Sequence, residues 1–119
     1  MQKSHNDLKV KSKIWIEIGG EPVFGSGRRR LLEAIDTHGS ISQAARAVRV
    51  SYRKAWSHIE AMEERLGMRL VERRVGGKHG GGATLTRDAR RFLEKFDRLE
   101  EGLARIVDRK FTKLFGTIR

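Results

Sequence analysis

Between Gly39 and Gly67 the chain sets down a short helix, a turn and a longer helix, with too little sequence between them for the two helices to part. Ser40-Ile41-Ser42 supplies hydroxyls suited to N-capping ahead of a helix predicted over Gln43–Val48. Ala44, Ala45 and Ala47 keep that helix thin enough for close approach. Val50-Ser51 is the turn, Ser51 the expected N-cap of the next helix over Tyr52–Leu66, and Gly67 its closing residue. At about 100° per residue, Ala55, Ile59, Met62 and Leu66 fall on one narrow stripe that faces a core. Arg53, Ser57 and Glu60 lie opposite, with Lys54 and Ala61 near them. A helix pair of this kind matches the helix-turn-helix arrangement, in which the second helix enters the DNA major groove. Taken alone it also describes a plain αα-hairpin with solvated charges, so the flanking segments carry weight.

Upstream, Val10, Ile14, Ile16 and Ile18 alternate with Lys11, Lys13 and Glu17, which predicts a strand over residues 10–18. Trp15 breaks the polar side of that alternation and hints at a second contact. Gly19-Gly20-Glu21-Pro22 is read as the strand's end and Gly25-Ser26-Gly27 as a loop. Arg28–His38 reads as a helix with Leu31, Leu32 and Ile35 as its apolar stripe and Gly39 as its C-cap, giving a three-helix core over 28–67. Downstream, short strands over Leu70–Val75 and Ala83–Leu85 flank the tip Gly76-Gly77-Lys78-His79-Gly80-Gly81-Gly82, a hairpin or wing over 70–85. Thr86 is the expected N-cap of a last helix from Arg87 to about Leu114, with Asp88 placed to suit the helix dipole. The expected fold is mainly α with a small β-hairpin. It is a winged helix-turn-helix with an N-terminal strand and a long C-terminal dimerisation helix, one domain across 1–119.

Charge points to the partner. The formal net charge is +11, and a surplus of that size favours a polyanion, because neutralising phosphates releases condensed counterions. Arg53 and Lys54 sit in the first helical turn, where side chains reach base edges, and Arg53 suits guanine O6 and N7. Trp56 lies on the border between the two faces and fits either the core or the groove. A glycine-rich tip beside a lysine also suggests a nucleotide loop, but Gly77-Lys78 is followed by His79 and a strand instead of Ser or Thr and a helix. A wing fits better, with Arg73, Arg74 and Lys78 along a phosphate backbone or minor groove. The bland alternative is a turn that touches nothing.

Other chemistries find little support. The chain has no cysteine, and His5, His38, His58 and His79 share no metal-site spacing. No metal and no cofactor are expected. Carboxylates such as Glu60, Glu63 and Glu64 read as solvated partners of neighbouring cations, and enzyme activity is not expected. Met1–Lys9 lacks the apolar run of a signal peptide and no stretch is long enough for a membrane span, so a cytoplasmic protein without membrane contact is the expectation.

The last helix predicts an assembly. Roughly 28 residues at about 1.5 Å each outrun what so small a domain covers. Leu99, Leu103, Ile106, Phe111 and Leu114, with Val107, therefore need a partner surface, and a two-fold copy of the chain is the commonest one. Trp15 is placed at the same interface. The alternative is a helix broken near Gly102 that folds back.

Gly39-Ser40-Ile41-Ser42-Gln43-Ala44-Ala45, Ser51-Tyr52-Arg53-Lys54-Ala55-Trp56 and Leu70-Val71-Glu72-Arg73, with the glycine-rich run from Gly76 to Thr86, resemble the N-terminal domain of the molybdate-responsive ModE regulators. Ile59 to Gly67 is similar to the broader LysR-type pattern. The resemblance implies a winged-helix homodimer on double-stranded DNA with a palindromic operator, controlling molybdenum-related genes. Ser51, Tyr52, Arg53, Lys54, Trp56 and Ser57 would then face DNA, with Lys78 in the wing; Ser42 is counted with them. ModE regulators continue into molybdate-binding domains, whereas this sequence stops at Arg119. The expectation is that the chain senses nothing itself or that a separate effector-sensing protein supplies the signal. Two other functions compete: an interaction adaptor built on the same scaffold, and a small oxyanion or nucleotide binder using Gly76–Gly82.

Overall fold

Backbone caps decide where most elements begin and end. The computed structural model describes residues 7–74 and 81–116, in the order β1 (Ile16–Ile18), β2 (Glu21–Phe24), α1 (Ser26–His38), α2 (Ile41–Ala47), α3 (Tyr52–Leu66), β3 (Val71–Arg74), β4 (Gly82–Leu85) and α4 (Arg87–Phe115). The Ser40 Oγ accepts from the Gln43 N–H at 3.1 Å and the Ser51 Oγ from the Lys54 N–H at 3.0 Å. Each satisfies a donor that a helix start leaves open. Because Ser40, not Ser42, is the cap, α2 starts two residues before the predicted Gln43 and ends at Ala47. Gly39 ends α1 in the left-handed region, φ 67°, with its N–H on the Ile35 carbonyl at 2.8 Å.

The predicted strand over 10–18 is corrected to Ile16–Ile18, and a second strand, Glu21–Phe24, stands where a strand end and loop were expected. The two pair antiparallel as Ile16↔Phe24, Glu17↔Pro22 and Ile18↔Glu21. A strand exists only as far as its partner reaches, so the alternation before Ile16 gains no ladder. Gly19 and Gly20, φ 60° and 83°, form a tight hairpin turn with positive φ at both central positions. The other hairpin pairs Val71↔Leu85 through Arg74↔Gly82. Helix α1 begins at Ser26, two residues ahead of the expected Arg28, and α4 extends one residue past Leu114 to Phe115.

By its contacts the chain divides into two compact units, Trp15–Leu93 and a second drawn from Met1–Ile14 and Glu94–Arg119. In the first, the core gathers Leu31, Leu32 and Ile35 of α1, Ala44 and Ala45 of α2, Ala55, Ile59 and Met62 of α3, and Leu70, Val71, Ala83 and Leu85 of the wing root, all buried. Val23 and Phe24 of β2 are also buried, and Phe92 meets Phe24 edge-on, ring centres 4.8 Å apart at 89°. In the second unit, the distal part of α4 carries Phe111 and Phe115 with ring centres 5.1 Å apart.

The turn between α2 and α3 holds one strained residue. Arg49 sits at φ 62° and is exposed, while the flanking amides of Arg49 and Val50 donate to Arg46 and Ala45 carbonyls at 3.1 and 2.9 Å. A non-glycine residue in that region costs roughly 1–2 kcal/mol, partly offset in any glycine variant by the greater freedom of its unfolded chain. Arg49→Gly is therefore expected to raise stability by about 1 kcal/mol, or several degrees in thermal unfolding followed by circular dichroism. A lowered midpoint would show that the arginine side chain contributes more than its backbone costs.

Candidate nucleic-acid interface

Helix α3 is anchored by one side and open on the other. Ala55, Ile59 and Met62 are essentially inaccessible, whereas Arg53, Lys54, Ser57, Glu60 and Glu64 are exposed. The wheel that orients the core stripe thus presents Arg53 and Ser57 outward. Ser51 commits its oxygen to the cap, leaving its hydroxyl proton free to donate.

One flank of α3 meets the wing. Ser42, Tyr52, Arg73 and Arg74 line an open cleft of about 200 Å³ at the wing root, with Gly82 at its edge. Tyr52 and both arginines are exposed, so two guanidinium groups converge with the hydroxyl-bearing side chains of Ser42 and Tyr52 from three elements, beside the α2 cap Ser40. Such a set suits a phosphate. The Arg73 guanidinium also stacks on Trp56, 4.7 Å from the ring centroid. Trp56 is half-buried, and its border position joins α3 to β3. Arg53, Lys54 and Ser57 do not line this cleft; they stand on the outward face and the opposite flank. Lys78 lies outside the described residues, as does the rest of 75–80.

The wing root is fastened by contacts that span the sequence. The Glu63 Oε2 accepts from the amides of Leu70 and Val71 at 2.8 and 3.2 Å and lies 3.8 Å from Arg69 Nε. Glu63 keeps a cation partner, Arg69, as expected, but it is largely shielded from solvent and also anchors the backbone of Leu70 and Val71, a role that its short distance from β3 along the chain signals. Thr86 accepts from the Ala89 N–H at 3.0 Å, the predicted cap, and donates to the Arg69 carbonyl at 2.7 Å. On the other side the Ala83 N–H donates to the Gly39 carbonyl at 2.9 Å. A side chain at Gly82 would meet that same carbonyl at 3.2 Å.

His58, half-buried on the flank of α3 away from the wing, has its pKa held below the ordinary 6.5 by burial first, then by the positive charges of Arg28 and Lys54. The folded chain therefore resists a proton that the unfolded chain accepts. Its contribution to stability is complete above about pH 6.5 and is lost as pH falls through the folded value. His58→Gln should flatten the acid-side fall in the urea midpoint between pH 7.5 and 5. Parallel curves for the two proteins would remove His58 from that role.

The residues expected at an interface between copies divide by exposure. Leu99 and Leu114 are 55% and 68% exposed, Ile106 is also exposed, and Leu103 and Phe111 are half-buried. Trp15 is half exposed, and its indole N–H donates to Glu17 Oε2 at 2.8 Å. Among the described residues no cluster of acidic, histidine or cysteine side chains could hold a metal, and no helix is long and apolar enough to cross a membrane.

Comparison with known proteins agrees with this geometry. The chain is 51% identical over 73 residues to the transcriptional regulator ModE of Haemophilus influenzae, covering 61% of this chain and 29% of that protein. It is 43% identical over 82 residues to the DNA-binding transcriptional dual regulator ModE of Escherichia coli K12, covering 68% and 31%. With the molybdenum-pterin-binding protein MopA of Rhodobacter capsulatus it shares 35% identity over 102 residues, 86% of this chain and 38% of that one. The chain thus spans well under half the length of these relatives. Among solved structures it resembles a CbnR DNA-binding domain in complex with DNA, at 28% identity and a TM-score of 0.54, over 73% of this chain and 94% of that one. The four helices and the hairpin after the third are those of a winged helix-turn-helix. Residues 28–90, more than half of the chain, match the family described as bacterial regulatory helix-turn-helix protein, lysR family. The chain belongs to that family.

Proposed function

We propose that this chain binds double-stranded DNA as a homodimer and acts in transcription regulation in the manner of the ModE regulators, in the cytoplasm. Both compact units serve that single role. Trp15–Leu93 grips the duplex, and the distal part of α4 pairs two copies. The observation that carries the reading is the outward face of α3, with Arg53, Lys54 and Ser57 exposed, beside the wing-root cleft of Ser42, Tyr52, Arg73 and Arg74. Arg53 reads a base edge; Arg73, Arg74 and Lys78 hold phosphates; Ser51 and Trp56 set the height of α3 in the groove. A dimer places two such helices on an inverted repeat. The link to molybdenum rests on the names of the relatives, among them the molybdenum transport protein ModE of Azotobacter vinelandii. Family membership and these relatives weigh against the adaptor reading.

Selecting bound sites from random duplexes, then titrating the winner at about 50 and 200 mM salt, tests the proposal. Expected are an inverted-repeat motif and an affinity that falls steeply with salt. Binding that ignores sequence and salt would return the adaptor reading. Arg53→Ala should lower affinity for the selected site by about 1–3 kcal/mol, roughly 5- to 150-fold, and relax the preference at one base pair. Lys78→Ala should weaken all duplexes alike. An Arg53→Ala loss of equal size on every sequence would make Arg53 a phosphate contact.

A further inference from the structure

We infer that residues Lys9–Ile14 form a docking edge for an acidic, extended strand of another protein, which adds to it through backbone hydrogen bonds. The inference is independent of the DNA-binding reading and uses none of the residues assigned to the duplex. The stretch alternates as a strand does, yet it forms neither helix nor ladder. Among the described residues, no backbone amide or carbonyl from Leu8 to Ile14 has a hydrogen-bond partner. Such a row of open groups is a ready template for another strand. Its side chains are already sorted onto two faces. Val10 and Ile14 are half-buried, whereas Lys9, Lys11 and Lys13 are exposed and in no ion pair among the described residues. The stretch belongs to the compact unit that also holds the distal part of α4. There Ser12 and Ile14, with Glu100, Glu101, Leu103 and Ala104, line an open groove of about 260 Å³ that the lysines do not line.

Charge selects the occupant. Residues directly opposite in an antiparallel pair share one face, their Cβ atoms about 4.5–5.5 Å apart. A second copy of this stretch would set lysine against lysine. A slip of one residue that separates the lysines would turn Val10 and Ile14 to the wrong face. A strand with carboxylates at every second position instead meets Lys9, Lys11 and Lys13 in turn, about 6.6 Å apart in an extended chain. Its intervening side chains face the groove, where Ile14, Leu103 and Ala104 suit an apolar group while Glu100 and Glu101 turn a carboxylate away.

The test uses a fluorescein-labelled peptide of seven residues, alternating glutamate and valine, titrated by anisotropy into the whole chain. Expected are saturable binding and slowed amide exchange at every second residue between Lys9 and Ile14. The same peptide fully N-methylated keeps its charge and loses its backbone donors; it should bind about tenfold more weakly. Lys11→Glu, at an exposed position, should weaken the unmethylated peptide about 5- to 10-fold. Equal affinity for the methylated peptide, or uniform protection across the stretch, would reduce the contact to charge and overturn the docking edge. So would an acidic peptide that does not bind. Protection that rises with protein concentration in the absence of peptide would assign the stretch to a second copy.

Discussion

A chain with aspartate at both Leu99 and Ile106 is expected to run as a monomer in analytical ultracentrifugation and to bind a two-half-site operator 10²–10⁴-fold more weakly, at the scale of lost bivalency. The two residues stand two turns apart on one side of a 29-residue α4, and both are exposed in the isolated chain. Leu114 and the half-buried Leu103 continue the same stripe, and its outer edge stays exposed among the described residues. Because neither substituted side chain is buried, the monomer should stay folded and keep its grip on a single half-site, its thermal midpoint lowered only by the stabilisation that pairing contributes. Loss of the dimer with the half-site affinity preserved is the diagnostic combination. A variant that still sediments as a dimer would place the contact between copies elsewhere.

Glu63→Ala should be the most damaging single change at the wing root. One carboxylate oxygen serves two backbone amides, Leu70 and Val71, both residues buried, while the Glu63 side chain itself is only 20% exposed. Removing it leaves two donors without protein partners, each worth about 1–3 kcal/mol when water cannot replace the bond. The expected loss is roughly 2–5 kcal/mol in urea unfolding, against a total near 5–15 for a domain of this kind. Glu63→Gln keeps an acceptor and should lose much less. Amide exchange at Leu70 and Val71 should speed up in the alanine variant. A loss below about 0.5 kcal/mol would mean that water fills the gap.

Legibility followed the range of each interaction. Ser51, Thr86, Gly39 and Gly67 act within three or four residues of themselves, and the ends they set for α1, α3 and α4 can be read from the sequence. The α3 core stripe is equally local, since Ala55, Ile59 and Met62 repeat with the helix. Strand β2 was hidden because Pro22 reads as a breaker, yet in a two-stranded ribbon every strand is an edge and tolerates it. Gly19-Gly20 carried the hairpin signal that outweighs it. Residues 10–15 alternate as a strand does but find no ladder partner. Within the interface, the outward set on α3 follows from periodicity. The stacking of Arg73 on Trp56 and the anchoring by Glu63 each join residues from different elements, which no pattern along the chain encodes.

The bond from Ala83 to the Gly39 carbonyl couples two positions far apart in sequence. Gly39 needs its left-handed backbone, and Gly82 needs room beneath that same oxygen. Neither can drift alone. A graft of this wing onto another helix-turn-helix body must therefore carry both glycines together, or the transplanted hairpin will stand away from the groove it is meant to straddle.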